Sequence, residues 1–322
     1  MTHKESWFIV IEDGDQRGVG ECGLLRGLSM DDRPDYETKV AWACENIAMG
    51  PDWLDRELWD WPSIRFGVEM AFLSLRSQDP MILFPSAFTK GMDGIPINGL
   101  IWMGEIDNMR RQIASKIESG FRCLKLKIGA IDFAQELKIL AEIRRHFPPG
   151  ELEIRVDANG AFTAESALGK LNQLAGYEIH SIEQPISVNQ HDTMAGLVKS
   201  SQIPIALDEE LIGIVQPHGM RKLLLVIRPP YIILKPSLLG GFAATRQWIA
   251  TARELGIGWW ITSALESSVG LNAIAQFAYS LGVDMPQGLG TGALYTNNFR
   301  SPLMVKDAKL WYLDSGWEDL PL

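Results

Sequence analysis

The five residues Leu124-Lys125-Leu126-Lys127-Ile128 alternate apolar and basic side chains, which is the pattern of a β-strand. Alternate residues of a strand point to the same side, so Lys125 and Lys127 share one face and the three apolar side chains share the other. Two adjacent ammonium groups lower each other's pKa, and partial burial lowers it further, so such a lysine can act as a general base near neutral pH. A lone pair of lysines is also common on a solvated strand, so the functional interpretation depends on the rest of the chain.

Around this strand, the chain repeats a strand followed by an amphipathic helix. This alternation predicts a parallel sheet, and seven such units favour an α/β fold of the TIM-like (β/α)7β barrel type. An open, doubly wound sheet is the alternative, although no Gly-x-Gly-x-x-Gly motif follows the first strands. The predicted strands are 97–101, 123–128, 152–157, 179–183, 203–208, 231–235 and 258–262.

The first 92 residues follow a different pattern. Residues 6–12 and 18–22 predict a β-hairpin around an Asp-Gly-Asp turn, and residues 36–49 and 63–78 have the apolar spacing of helices. We therefore expect a smaller α+β domain over residues 1–92 and the barrel over 93–300. The remaining segment, 301–322, is expected to pack back on the smaller domain.

Composition excludes several classes of protein. The formal net charge of −10, without a stripe of Lys and Arg, argues against a nucleic-acid partner. The sequence has no apolar run of about 18 residues and no signal-peptide core, so we expect a cytoplasmic protein that does not enter membranes. The three cysteines are odd in number and lack metal-ligand spacing, which favours reduced thiols.

Charged residues recur at the ends of the predicted strands. Asp157, Glu183, Asp208 and Lys235 follow one another at intervals close to one βα unit, which takes roughly 30 residues. Any one of these acids could be an ordinary helix cap or loop residue. Together, however, their equal spacing places three carboxylates at the ends of adjacent strands. The carboxylates would repel one another unless a cation lies between them. All-oxygen ligation suits a hard ion such as Mg²⁺.

The lysines complete a reactive arrangement around these acids. The strand of Lys125 and Lys127 lies on one side of the three carboxylates, and Lys235 lies on the other. A small carboxylate substrate held at the metal would present its α-carbon between the lysines. Loss of the α-proton gives an enediolate, and a divalent cation can neutralise its second negative charge.

These residues resemble the motifs of the enolase superfamily, in particular its muconate-lactonizing-enzyme subgroup. The matching segments are Lys125-Leu126-Lys127, Val156-Asp157-Ala158-Asn159-Gly160, Ile182-Glu183-Gln184-Pro185, Leu207-Asp208-Glu209 and Leu234-Lys235-Pro236, in this order. The use of a Lys or His base with Mg²⁺ and an ene-diolate is a known pattern of that superfamily. Within the subgroup, the chain is most similar to the o-succinylbenzoate synthase family of menaquinone biosynthesis.

The resemblance implies a set of roles. The metal ligands would be Asp157, Glu183 and Asp208, binding Mg²⁺ with Mn²⁺ as a possible substitute. Lys127 would be the base, Lys235 the opposing lysine and Lys125 the residue that tunes Lys127, with Asn159 contacting substrate. The reaction implied is the dehydration of 2-succinyl-6-hydroxy-2,4-cyclohexadiene-1-carboxylate to o-succinylbenzoate, in an enzyme that could be a homo-oligomer.

Two further expectations come from the same resemblance. The segment 265–270 resembles the family's seventh-strand segment, where Ser267, Ser268 and Gly270 at a helix start could receive the succinyl carboxylate; ordinary helix capping is the alternative. Relatives usually begin with an extra strand and a mobile loop that closes over the substrate, neither of which we identify in this sequence. The smaller domain would be the superfamily's capping domain.

Other functions remain open on the sequence alone. N-Succinylamino-acid racemases and dipeptide epimerases of the subgroup share the same lysines and acids. Epimerases resemble each other in an Asp-x-Asp pair late in the barrel, and the corresponding residues 287–292 contain no acid, which argues against an ammonium-bearing substrate. A barrel that binds a ligand without catalysis is the alternative from another class.

Overall fold

The computed structural model describes residues 3–313 and 316–318. Among these residues, no helix is both long and apolar enough to cross a membrane. The three cysteines carry free thiols, with Cys22 and Cys123 buried.

The N-terminal residues form a small unit with its own apolar core. Strand β2 (Gln16–Cys22) packs closely on helix α3 (Pro62–Arg76). A Cβ atom at Gly20 would lie 1.9 Å from the carbonyl oxygen of Gly67, so only glycine permits this approach. The core of this unit includes Ile9, Leu54 and Ile64. Its elements are the antiparallel strands β1 (Trp7–Asp13) and β2 (Gln16–Cys22) and the helices α1 (Tyr36–Glu45), α2 (Pro51–Glu57) and α3 (Pro62–Arg76).

A seven-stranded parallel sheet forms the centre of the molecule. Its strands are adjacent in the same order as in the chain, as expected for strands joined by helical crossovers. Each strand lies within two residues of the predicted bounds. The short β3 (Ile95–Pro96) belongs to another sheet, and the seven strands are β4 (Gly99–Ile101), β5 (Cys123–Lys127), β6 (Glu153–Asp157), β7 (Ser181–Glu183), β8 (Ile205–Leu207), β9 (Tyr231–Leu234) and β10 (Gly258–Ile261).

Amphipathic helices follow these strands and cover the sheet. In the helix after β5, for example, the buried side chains are Glu136, Ile139, Leu140 and Ile143, spaced three or four residues apart as one helical face requires. The helices are α4 (Ile106–Glu118), α5 (Phe133–His146), α6 (Ala164–Ala175), α7 (His191–Ser200), α8 (Pro217–Ile227), α9 (Pro236–Leu239), α10 (Gly241–Glu254) and α11 (Ser268–Ser280).

One short segment after α11 pairs with both edges of the parallel sheet. Gln287 forms a parallel bridge with Ile97 beside β4, and Gly288 forms one with Thr262 at the end of β10. The Gln287 side chain adds to this closure, because its Oε1 accepts the amide of Ile261 at 2.7 Å. The sheet is therefore strongly curled, and its first and last strands are bridged by the same two residues.

The last described strands form a separate sheet with β3. Strands β11 (Leu303–Lys306) and β12 (Lys309–Tyr312) form a hairpin, and β12 pairs with β3. The Tyr312 ring packs edge-on against Phe88, with ring centroids 6.1 Å apart. Part of the predicted C-terminal segment, at 314–315 and 319–322, lies outside the described residues.

Helix α3 joins the N-terminal unit to the helices around the parallel sheet. The Phe66 ring packs edge-on against Phe242 of α10, with centroids 5.3 Å apart. One turn further along, the Glu69 carboxylate accepts the amides of Phe242 and Ala243 at 2.5 and 3.0 Å. An apolar contact and a capped helix thus hold the two parts together.

Candidate active site

The parallel register brings the predicted lysines and acids to one edge of the sheet. Lys127, Asp157 and Glu183 are successive partners across β5, β6 and β7. Asp208 and Lys235 directly follow β8 and β9. Because parallel strands all end at the same side, the side chains converge there, where catalytic groups of such folds are found.

A cavity of about 170 Å³ opens above these side chains. Its polar side chains include charged and amide groups and the hydroxyl groups of three residues. They are Lys125, Lys127, Lys235, Glu209, Asn98, Asn159, Thr262, Ser263 and Thr291. One wall is apolar, which suits a ligand with a carbon ring and few polar groups. The apolar side chains in it are Leu25, Leu28, Leu100, Trp102, Ala264 and Leu265.

The lysines pair directly with the three predicted metal ligands. The Lys125 ammonium lies between two carboxylates, 2.9 Å from Asp157 and 2.5 Å from Glu183. Lys127 contacts the same oxygen of Asp157 at 2.5 Å, and Lys235 pairs with Asp208. The three acids are at most 3% exposed. They form a charge-balanced cluster with the three lysines, and the lysines line the floor of the cavity.

Burial and the neighbouring charges together determine the direction of the pKa shifts in this cluster. Burial alone would raise the pKa of Asp157, but the ammonium groups of Lys125 and Lys127 hold it well below its ordinary value. Burial, together with repulsion from Asp157, raises the pKa of Glu183. The pKa of Lys125 is raised despite its burial, since Asp157 and Glu183 stabilise its charge. The carboxylates therefore dominate the pKa of Lys125, and the pairing with Lys127 does not decide its direction.

The acids fit a hard divalent cation in their chemistry. All three offer carboxylate oxygens, and Glu183 Oε1 is buried without a hydrogen-bond partner among the described residues. Within that part of the chain, however, no three acidic, His or Cys side chains are already arranged around a common metal position. The Lys125 ammonium accounts for this, because it lies between Asp157 and Glu183. A cation bound by these carboxylates would replace that contact.

The structure does not place the predicted carboxylate-binding serines in the cavity. The start of α11 is occupied by Glu21 of β2, whose carboxylate accepts the Ser267 amide at 2.9 Å and the Gly270 amide at 2.8 Å. The hydroxyl of Ser267 also donates to Glu21, at 2.5 Å. Ser268 donates its amide to Asn298, at 2.7 Å. The prediction that Ser267, Ser268 and Gly270 receive a substrate carboxylate is corrected on this ground: their donors already bind protein groups.

A segment of the N-terminal unit lies at the cavity. Residues 23–35 connect β2 to α1, and Leu25 and Leu28 of this segment line the apolar wall. Its path is fixed at Asp31, which accepts the amide and the hydroxyl of Ser63 at 2.9 and 2.7 Å. The hairpin and α1 were predicted from sequence, but the role of their connection was not.

Asn159 lies where the motif predicted it, and it has a neighbour that the prediction omitted. The Lys127 ammonium donates to Asn159 Oδ1 at 2.7 Å, and Asn159 Nδ2 donates to Glu209 Oε1 at 2.7 Å. Glu209 stands beside Asp208 in the sequence Asp208-Glu209-Glu210. The acidic run and the matching segment Leu207-Asp208-Glu209 both pointed to this residue, but neither indicated a role for it.

Comparison with known proteins agrees with this geometry. Residues 108–314 match the family described as enolase C-terminal domain-like. The o-succinylbenzoate synthase of Desulfotalea psychrophila (strain LSv54) is 47% identical over 336 residues, covering 95% of this chain and 91% of that protein.

Solved structures extend the comparison. The crystal structure of MenC from Desulfotalea psychrophila LSv54 matches with a TM-score of 0.87 and 44% identity, covering 95% of this chain and 94% of that one. The muconate lactonizing enzyme from Pseudomonas putida matches with a TM-score of 0.76 at 21% identity, covering 94% of this chain and 88% of that one, a likeness that concerns the fold alone. The shared motifs, the family match and the extended sequence identity lead to one conclusion: this chain belongs to the enolase superfamily and, within it, to the family of the o-succinylbenzoate synthases.

Proposed function

We propose that this protein dehydrates 2-succinyl-6-hydroxy-2,4-cyclohexadiene-1-carboxylate to o-succinylbenzoate, a lyase reaction of menaquinone biosynthesis. The observation that carries the proposal is the placement of Lys127 and Lys235 on one cavity, with three buried carboxylates on the strands between them. This arrangement can remove a proton next to a carboxylate, which is the difficult step of the reaction. The family relationship supports the choice of substrate.

Asp157, Glu183 and Asp208 are the residues we assign to Mg²⁺, with Mn²⁺ as a possible substitute. When bound there, the cation would supply positive charge that stabilises the carboxylate of the substrate as negative charge develops on it. Lys125, which contacts Asp157 and Glu183 in this structure, would tune the neighbouring Lys127.

Lys127 is the residue we assign as the base. As a free amine it would take the α-proton of the substrate, and the electrons of that C–H bond would form the enediolate. The resulting ammonium would then return the proton to the departing hydroxide, which leaves as water. The Lys235 ammonium, on the far side of the three acids, would stabilise the enediolate by its charge. Asn159 would hold the Lys127 ammonium toward the cavity.

The apolar wall would receive the six-membered ring. Leu25 and Leu28 come from the N-terminal unit, and Trp102 and Leu265 from the loops after β4 and β10. Burial of a ring against such side chains excludes water, which strengthens the electrostatic contacts of the charged floor. Residues 23–35 would thus close the site.

The architecture we propose is a (β/α)7β barrel over residues 93–300 with a capping domain over 1–92 and a C-terminal segment over 301–322. The pairing of Gln287 and Gly288 with both edges of the sheet supports closure of the sheet into a barrel. The separate apolar core of the N-terminal unit supports the division of the chain into these domains. We further propose that the protein is a cytoplasmic enzyme that binds a small carboxylate and has no nucleic-acid or membrane partners. It could form a homo-oligomer.

The direct test is an absorbance assay with the cyclohexadiene substrate, first with Mg²⁺ and then with a chelator. We expect metal-dependent formation of the aromatic product. Lys127→Ala should abolish turnover and leave Mg²⁺ affinity, measured by calorimetry, largely unchanged. Full activity of that variant would remove Lys127 as the base, and no product from the unaltered protein would overturn the proposed reaction.

Racemization of N-succinylamino acids is a second candidate, because lysines flank the acids on both sides and could act on either face of an α-carbon. The two reactions differ in what they require of Lys235. A racemase needs it to transfer a proton, whereas the dehydration needs only its charge. Interconversion of the two enantiomers of an N-succinylamino acid, lost in Lys235→Arg while dehydration persists, would establish the racemase activity.

A further inference from the structure

Glu209 is an acidic side chain on the cavity that the proposed chemistry does not use. It lies in the turn after β8 and lines the cavity beside the lysines. Its Oε1 accepts the Asn159 amide at 2.7 Å. Its Oε2 is buried and has no hydrogen-bond partner in the described part of the chain. Glu209 is therefore linked to Lys127 through Asn159.

Asn159 is constrained on three sides. Its backbone has φ 43°, in the left-handed region that asparagine tolerates better than most residues. Its backbone N–H donates to Asp157 Oδ1 at 3.0 Å, and its side-chain oxygen accepts from Lys127 Nζ at 2.7 Å. These contacts place the Asn159 side chain between the Lys127 ammonium, which donates to it, and the Glu209 carboxylate, which accepts from it.

An asparagine side chain has a donor end and an acceptor end, so its orientation has chemical consequences here. In the observed orientation, the NH₂ group faces Glu209 and the oxygen faces Lys127. If the group turned by 180°, two donors would meet at Lys127 and two acceptors at Glu209, and both hydrogen bonds would be lost. An acceptor at position 209 is thus what fixes the amide oxygen toward the lysine.

We propose that Glu209 is a positioning residue for Lys127, acting through Asn159. This inference rests on the proposed role of Lys127 as the base. If Asp157 binds a cation, its oxygen is shared with that cation, and Asn159 becomes the main acceptor that directs the Lys127 nitrogen. The position of the base relative to the α-carbon then depends on a side chain that touches neither substrate nor lysine.

The test compares two substitutions at one position. Glu209→Leu removes the acceptor, and we expect kcat to fall by about 10- to 100-fold, the effect of a misplaced reactive group, with KM and the Mg²⁺ dissociation constant within about threefold of wild type. Glu209→Gln keeps a carbonyl acceptor and should restore most of kcat. Glu118→Leu, on the exposed surface of α4, is the matched control.

A double-mutant cycle with Asn159→Ala tests whether the effect passes through the asparagine. Once Asn159 is absent, Glu209→Leu should change kcat by less than about twofold, because coupled residues are not additive. Circular dichroism and a urea unfolding curve establish that each variant is folded, and Glu209→Ala replaces Glu209→Leu if the larger side chain prevents folding.

Three results would overturn the inference: wild-type kcat in a folded variant without the acceptor, additive losses in the cycle, or loss of Mg²⁺ affinity parallel to the loss of kcat. The last would make Glu209 part of the metal site. Failure of the proposed function looks different, because then the unaltered protein makes no aromatic product in the same assay.

Discussion

Replacing Lys125 with methionine tests whether its ammonium and a divalent cation compete for the same carboxylates. The side chain of Lys125 is 7% exposed and pairs with Asp157 and Glu183 at 2.9 and 2.5 Å. Removing one partner of a buried ion pair costs about 3–5 kcal/mol, because the remaining charge stays buried. Without metal, we expect Lys125→Met to lower the free energy of unfolding by that amount. Methionine has a similar length, so lost packing contributes little.

Added Mg²⁺ should act differently on the two proteins. In wild type, the cation has to displace the ammonium before it can approach both carboxylates. In Lys125→Met that place is free, so saturating Mg²⁺ should stabilise the variant more than wild type, by about 1.4 kcal/mol for each tenfold gain in affinity. The variant should therefore regain part of its lost stability when metal is present.

Urea unfolding followed by tryptophan fluorescence, with chelator and with Mg²⁺, measures both effects, and the chain contains 11 tryptophans. Lys199→Met, which alters an exposed lysine of α7, controls for the loss of a positive charge. An equal gain from Mg²⁺ in wild type and in Lys125→Met would refute the reasoning, since it would mean that the cation binds without displacing the ammonium.

Three further predictions concern single carboxylates. Asp208→Asn should weaken Mg²⁺ binding by about tenfold or more, because a charged oxygen ligand is lost; an unchanged dissociation constant in calorimetry would count against Asp208 as a ligand. Glu21→Gln should lower the free energy of unfolding by about 2–4 kcal/mol, since its NH₂ group cannot accept a backbone amide at the start of α11; a loss below about 1 kcal/mol in urea would contradict this. Burial raises the pKa of Glu69 from its ordinary 4.5 to about 7, so between these pH values the folded protein binds more protons than the unfolded chain. Its stability should fall as pH rises through this window, by up to about 1.4 kcal/mol per pH unit, and a Glu69→Gln variant with the same slope would exclude Glu69 as the cause.

The sequence was sufficient to predict the strands and the charged residues at their ends. Alternating apolar residues and the spacing of about one βα unit are local signals, and a parallel sheet converts equal spacing into proximity. That is why Asp157, Glu183, Asp208 and Lys235 could be placed at one edge before the structure was known. Assignment of these residues as ligands and catalytic groups remains a proposal.

The errors arose where distant segments meet. Ser267 and Gly270 resemble an open anion site in sequence, yet their donors bind Glu21, a residue 246 positions from Ser267. No local pattern relates an acid in an N-terminal hairpin to a helix near the C-terminus. The same limit applies to Leu25 and Leu28, whose contact with the cavity depends on how the N-terminal unit lies on the sheet. The role of Glu209 was not predicted for the same reason, because its partner Asn159 follows another strand.

The pairing of Gln287 and Gly288 with both edges of the parallel sheet also affects synthesis of the protein. In a nascent chain that has not yet extended to residue 287, the backbone groups beside Ile97 and Thr262 lack these partners. Such open edges pair readily with strands of other chains, which is a route to aggregation. We therefore expect the risk of aggregation through these edges to end once Gln287 and Gly288 have been synthesised and have paired with them.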